Sequence, residues 1–360
     1  MKLQSLPEIS RPREDAGLAL GLEQIAACAC DLDARPRFPS ENIESLRAAG
    51  ILQLAADRDH SNLAKEIDLV RAVAGVDAST ARILDGHFNG VERIALSAPG
   101  ELRERELAEV ARGAVLVGVW GADPVGEEGS PAHIERAEDG ALLLQGTKTF
   151  CSGAGGVQRA LVVARDDQGG RRLAYVDARV GLEIDRDWYR GSGLRCSESH
   201  LVHFHDTPIL ALFGDADELL REPCIARDGV RTAATWAGIA DCIMRATIAA
   251  LGPDRADEVR LHGLGRMRVA RGTIERWLAH AGVQLQEGVE NPGELAGECR
   301  VAVAEAARLI ADEAARACGA RELARGGVLD RARRDLDLFL LQHRLEPKLV
   351  QLGRSALQAS

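Results

Sequence analysis

From about Asp15 to Glu109, apolar residues recur at three- and four-residue spacing in AGLALGLEQIAACACDL, NIESLRAAGILQL and EIDLVRAVAGVDASTARIL. This is the period of amphipathic helices. Ser40, between Pro39 and Glu41, reads as an N-cap, and Gly50 stands where that helix would stop. Near Gly113 the texture changes. AVLVGVW, GALLLQG, RALVVAR, RRLAYVDA and HLVHFHD are short, apolar or β-branched, and separated by glycine-bearing turns, so they read as strands. From about Asp217 the helical spacing returns in REPCIARDGVRTAATWAGIADCIMRATIAAL, LGRMRVARGTIERWLAHAGVQL, ELAGECRVAVAEAARLIADEAARA and VLDRARRDLDLFLLQHRL. Helices and strands in separate blocks predict an α+β multidomain chain and argue against a repeating βα fold. The expected parts are an N-terminal α-helical domain over 1–113, a middle β-domain over 114–216 and a C-terminal helical bundle over 217–360.

Composition narrows the partners more than the fold. With 46% hydrophobic and 28% charged residues among 360, the chain is long enough for several parts and a large core. Its net charge of -10 lacks the positive field that nonspecific nucleic-acid binding uses, so an anionic ligand needs a local basic pocket. The start, MKLQSLPEISRPRED, has no apolar core of a signal peptide, and no later segment reaches eighteen uninterrupted apolar residues, so the expectation is cytoplasmic with no membrane partner. The eight cysteines form no CxxC pair and read as reduced thiols.

The chemistry centres on GTKTFCSGAGG, Gly146 to Gly156. A cysteine beside a serine suggests a nucleophile, a glycine-rich turn suggests a phosphate cradle, and a Phe-Cys-Ser edge suggests a surface for a flat cofactor. No base stands near Cys151 in the arrangement a Cys-His enzyme needs. His200, His203 and His205 resemble a metal cluster, yet alternation along a strand puts His203 and His205 on one face, as in a half-buried strand with a wet side, so no metal site is expected. Trp236 and Trp277 lie in helical apolar stripes and read as core.

Three strings in register, GVWGADP, LQGTKTFCSGAGGVQRALVVAR and GLRCSESHLVHFHDTPI, together with FPSENIESLRAAGIL and VDASTARILDGHF, resemble the acyl-CoA dehydrogenase superfamily, including its flavin monooxygenase relatives. The resemblance covers nearly the whole chain. It implies FAD, with FMN or reduced flavin as the alternative, held at the β-domain edge. Phe150 would stand beside the ring, Cys151 would offer backbone, Ser152 would reach the reactive edge, and Val119, Trp120, Gly121 and Ala122 would border it. Ala122 replaces the usual hydroxyl residue. The turn Pro124 to Ser130 carries Glu127 and Glu128, which would repel a pyrophosphate unless they face away, and the usual contacts near Leu251 to Arg255 and Arg316 to Glu322 are poorly matched. Arg195 matches a β-domain arginine and reads as a structural ion pair.

The resemblance further implies α,β-dehydrogenation of an acyl thioester such as an acyl-CoA, with hydride transfer to flavin, an electron-transfer partner, and a homodimer or homotetramer built on the C-terminal bundle. That chemistry needs a carboxylate base. The usual glutamate is missing: its register falls at Gln342-His343, Glu346 lies three residues later, and Asp228 occupies a place where a minority of the superfamily carries its base. His343 permits the alternative, a flavin-dependent monooxygenase using oxygen, in which a histidine positions substrate or supplies a proton. A catalytically degenerate partner subunit is a further alternative.

Overall fold

The computed structural model describes residues 16–57, 63–252 and 256–358. The stretch read above for a leader, and Pro253 to Arg255 of one poorly matched segment, lie outside them.

Among the described residues five α-helices come first: α1 (Ala16–Ala34), α2 (Ser40–Ala48), α3 (Leu63–Ala74), α4 (Ala78–Ser97) and α5 (Gly100–Ala111). Two local expectations change. Pro39 is the N-cap of α2 and Ser40 its first residue, with no side-chain cap. The run read as one helix through VAGVDAST is two, because the Asp77 side chain accepts from Thr80 N at 2.7 Å and starts α4 afresh. The apolar period continues across that break, so periodicity alone does not register it. Gly50 does end its helical run, at φ 72°.

Seven strands follow: β1 (Val117–Trp120), β2 (His133–Arg136), β3 (Leu142–Cys151), β4 (Arg159–Arg165), β5 (Arg171–Asp177), β6 (Leu182–Asp185) and β7 (His200–Phe213). β2 and β6, HIER and LEID, are too polar to stand out from sequence alone. The strands run β4-β2-β3-β7-β5, and β5 pairs back to β4, closing a ring; β1 adds to β4 in parallel and β6 to β7. α4 lies directly on β1: a Cβ at Gly90 would come within 2.6 Å of Val117.

The remaining helices are α6 (Cys224–Leu251), α7 (Glu258–Glu287), α8 (Pro292–Ala324, broken at Gly319), α9 (Val328–Gln342) and α10 (Glu346–Gln358). α6 is long and apolar enough to cross a bilayer by composition, and 61% of that apolar window is buried inside the protein. It packs on α3, α4, α8 and α9. The approach to α3 is close, since a Cβ at Gly238 would meet the Arg71 carbonyl at 2.2 Å. One continuous apolar core runs from α1 through the strand ring to α9.

Candidate active site

The β-domain edge divides the expected ring contacts into two groups. Gly121, Ala122 and Phe150 are exposed, Phe150 by 41%, and form an open shelf. Phe150 sits at φ 51°, which turns its ring out of the strand and against the edge of Trp188 at 4.9 Å. Trp120 and Cys151, by contrast, point inward. Trp120 is 1% exposed and donates from Nε1 to the Ser152 carbonyl at 3.1 Å, so it fastens the shelf from beneath and borders nothing. Val119 turns toward Gly90 of α4. Cys151 is fully buried, and burial pushes its thiol well above the usual range, which removes the nucleophile reading.

Ser152 starts a chain of hydroxyls. Its Oγ shares a hydrogen bond with Ser199 Oγ at 2.9 Å, Ser199 shares one with Ser197 at 2.7 Å, and Ser197 donates to the Leu194 carbonyl. A hydroxyl has one proton and two lone pairs, so Ser152 keeps capacity for a ligand atom. Lys148, which sequence reasoning missed, is 1% exposed; its Nζ donates to the Gly121 carbonyl at 3.2 Å and to Asp123 at 2.6 Å, pinning the shelf's backbone. Ala122 accepts from Thr149 N, joining the two halves of the shelf. A flat ring with one apolar face fits this surface. A pyrophosphate does not fit the adjoining turn: Glu127 is exposed there, and the Glu128 carboxylate accepts from Val125 N at 2.8 Å and Trp188 Nε1 at 2.9 Å.

A second assembly lies where α6, α8 and the end of α9 meet. Asp228 and Thr232 of α6, Arg300 of α8 and His343 line one cavity of about 150 Å³. Asp228 is not a free base. Both its oxygens are held at 2.7 Å by Arg93, and Arg231 lies at 3.4 Å. Burial pushes its carboxyl up to about 6 while these arginines pull against it. The network continues through Arg231 to Glu66, Asn89 and Glu92, and through Arg227 to Glu92. His343 is wedged against Phe339 at 5.2 Å and Trp236 at 5.6 Å. Burial, Arg300 and Arg82 lower its pKa to about 3, so the ring is neutral at physiological pH. It is the C-cap of α9 and is half-buried. Glu346 is exposed at the start of α10 and does not line this cavity.

Arg82 links the two assemblies: its guanidinium lies over Phe339 at 5.9 Å and acts electrostatically on both His343 and Tyr189, whose ring lies 6.5 Å from Phe150. Neither Arg82 nor Arg300 carries a local sequence signal. Trp236 is fully buried, in keeping with its core reading. Arg195 donates to the Asp33 backbone carbonyl at 2.6 Å, a hydrogen bond in place of the expected ion pair. His203 pairs with Thr147 and stacks on His205, His200 is buried, and among the described residues no cluster could hold a metal.

The fold is the one shared by acyl-CoA dehydrogenases and their flavin monooxygenase relatives. The butyryl-CoA dehydrogenase of Megasphaera elsdenii superposes with a TM-score of 0.84 at 17% identity over 99% of this chain and 100% of that one. The methanesulfinate monooxygenase of Pseudomonas fluorescens gives 0.83 at 22% identity over 96% and 97%. By sequence, the chain is 29% identical over 234 residues to a dibenzothiophene monooxygenase of Rhodococcus erythropolis, 59% of this chain and 54% of that one. It is 25% identical over 226 residues, 60% and 52% of the two chains, to a probable FMNH2-dependent monooxygenase of Pseudomonas putida. The chain thus spans about half the length of the curated relatives it matches. No family model matches it. These relatives overturn the acyl-thioester dehydrogenation expected above, since the sequence matches are monooxygenases. The clamped Asp228 and the exposed Glu346 give the physical reason: neither is a free carboxylate aimed into the cavity.

Proposed function

We propose that this chain is a monooxygenase that works with reduced FMN and molecular oxygen on a small organic substrate. The observation that carries this reading is His343, a neutral imidazole in the walled cavity where dehydrogenation would demand a free carboxylate. The Pseudomonas putida relative, named for its dependence on FMNH2, supports the choice of flavin, as does the Glu127-Glu128 turn, which disfavours the pyrophosphate of FAD. Bound reduced flavin would supply two electrons to oxygen, so that one oxygen atom enters the substrate and the other leaves as water.

Phe150 and Ala122 give the ring an apolar seat, and Ser152 Oγ offers a hydrogen bond at its edge. His343, with one protonated ring nitrogen and one acceptor, orients the substrate and holds a proton beside the reacting oxygen. Trp236 and Phe339 keep water from that ring. The open apolar groove between α7 and α8, lined by Val269, Ala270, Ala302 and Leu309, supports a homo-oligomer through a second copy of the bundle.

The test supplies reduced FMN and labelled oxygen to the purified protein with small organosulfur and aromatic compounds, and reads label in the products. Incorporation into one of them is expected; reduced flavin oxidised with all of the oxygen recovered as hydrogen peroxide for every compound, and no flavin bound, would overturn the reading. In His343→Ala, flavin binding should persist while product formed per flavin oxidised falls on the order of a hundredfold. An unchanged ratio would remove His343 from the chemistry.

A further inference from the structure

The cavity beside His343 carries a positive charge that the fold leaves unanswered. Around it, the carboxylates of Glu66, Asp85, Glu92 and Asp228 engage Arg82, Arg93, Arg227 and Arg231. Arg300 is a fifth guanidinium in the same neighbourhood. It makes no hydrogen bond or ion pair with any described residue, and its Nε is buried without an acceptor. The nearest acids act on it only at range, because their oxygens are taken: Asp228 by Arg93 and Arg231, Asp85 by Arg82, Asn89 and Thr232. Glu222, the other acid of the wall, accepts from Ala226 N at 3.3 Å, and Lys348 adds a further cation to the lining.

The side chain is nevertheless firmly placed. Its guanidinium sits over Trp236 at 5.5 Å, and its stem passes Gly229 so closely that a Cβ there would lie 3.0 Å from Cδ. Arg300 is half-buried, and only its Nε is both buried and unpartnered, so its outer N–H groups are open to a ligand in the cavity. A planar guanidinium offers paired N–H groups that match the two oxygens of an acid head. The remaining space of about 150 Å³ is the size that admits a benzene-sized body, and Gly293 and Gly297 leave that wall without side chains.

We propose that this cavity binds a small organic acid, a carboxylate or sulfinate on a body no larger than about a benzene ring, with its head on Arg300 and its body beside Thr232 and His343. The inference deepens the monooxygenase reading and rests on it for the statement that the bound acid is the substrate; the binding itself does not depend on flavin.

Calorimetry on the full chain without flavin tests it, using benzoate and benzenesulfinate against benzyl alcohol as the neutral probe. The acids should bind at least tenfold tighter than the alcohol. Arg300→Met should remove that preference, bringing the acids down to the weak binding of the alcohol. Should that variant fail to fold, Arg300→Lys keeps the charge without the fork, and is expected to lose about three- to tenfold for the acids alone. Acids that bind no better than the alcohol, or an acid preference that persists in Arg300→Met, would overturn the proposal. Acids that bind through Arg300 yet take up no oxygen when reduced FMN is supplied would leave the pocket standing and overturn the statement that the bound acid is the substrate.

Discussion

The shelf on the β-domain and the cavity in the helical bundle are built by different means. The shelf is made of backbone and short side chains from two adjoining segments, Gly121 to Asp123 and Lys148 to Ser152, joined by hydrogen bonds such as Thr149 N to the Ala122 carbonyl. The cavity is lined by α6, α8 and His343 and backed by charges from α3 and α4, with partners such as Arg231 and Glu66 lying 165 residues apart in the chain. The shelf needs precise local backbone, whereas the cavity needs every helix in place at once. Damage to the first should therefore fall on ligand binding, and damage to the second on the fold.

The sharpest way to break this contrast is Arg231→Met. Arg231 is 1% exposed and serves Glu66, Asn89, Glu92 and Asp228 together. Removing it takes a cation from three buried acids, and the loss of one partner of such a network costs about 3–5 kcal/mol. Urea unfolding should show a lower midpoint with an unchanged slope. A change below about 1 kcal/mol would mean the network contributes little to the fold.

The seam between the two regions should show itself in the pH dependence of stability. Asp335 of α9 accepts from Leu194 N of the β-domain at 2.6 Å, and is 5% exposed. Burial, with Asp77 and Asp33 adding to it against Arg331, pushes its carboxyl up to about 7. In the unfolded chain it titrates near ~3.9. Between those values the folded protein holds the extra proton, so this group's contribution falls as pH rises from about 4 to about 7 and is level above that. Asp335→Asn keeps an acceptor for Leu194 N and removes the slope. It should be more stable than the parent at pH 8 by on the order of 2 kcal/mol, with the difference narrowing toward pH 4. Unfolding midpoints across that range that track the parent's would show that the seam does not raise the Asp335 carboxyl above its unfolded value.

What could be read from sequence follows the same division. The edge strings GVWGADP and FCSG are compact local motifs, and of the residues they supply Gly121, Ala122 and Phe150 are exposed while Ser152 is buried behind them. The side-chain directions of Trp120 and Val119 were not legible, because four residues of β1 do not reveal which face α4 covers. In the bundle, the resemblance offered Asp228 and His343 for two different chemistries, and one cavity brings them together. The resemblance gave no hint of Arg93 holding Asp228, nor of Arg82 and Arg300, since charges on separate helices leave no spacing to read. The order of helical and strand blocks was legible because periods of 3.6 and 2 persist over long runs; β2, β6 and α10 are short or polar and show no such run.

The smallest expected effect isolates the shelf. Ser152 is 8% exposed and bonded to Ser199, which still has Ser197 as a partner when Ser152 is lost. Ser152→Ala therefore removes one neutral hydrogen bond from a chain that remains otherwise paired, and global stability should change by no more than about 1 kcal/mol. If Ser152 also contacts the ring edge, affinity for reduced FMN falls about fivefold, the equivalent of about 1 kcal/mol of binding. Fluorescence titration with FMN under anaerobic, reducing conditions, alongside urea unfolding of the same variant, separates the two. A stability loss as large as that of Arg231→Met, with unchanged flavin affinity, would reverse the assignment: the hydroxyl chain would then be framework, and the shelf would hold its ligand by backbone and Phe150 alone.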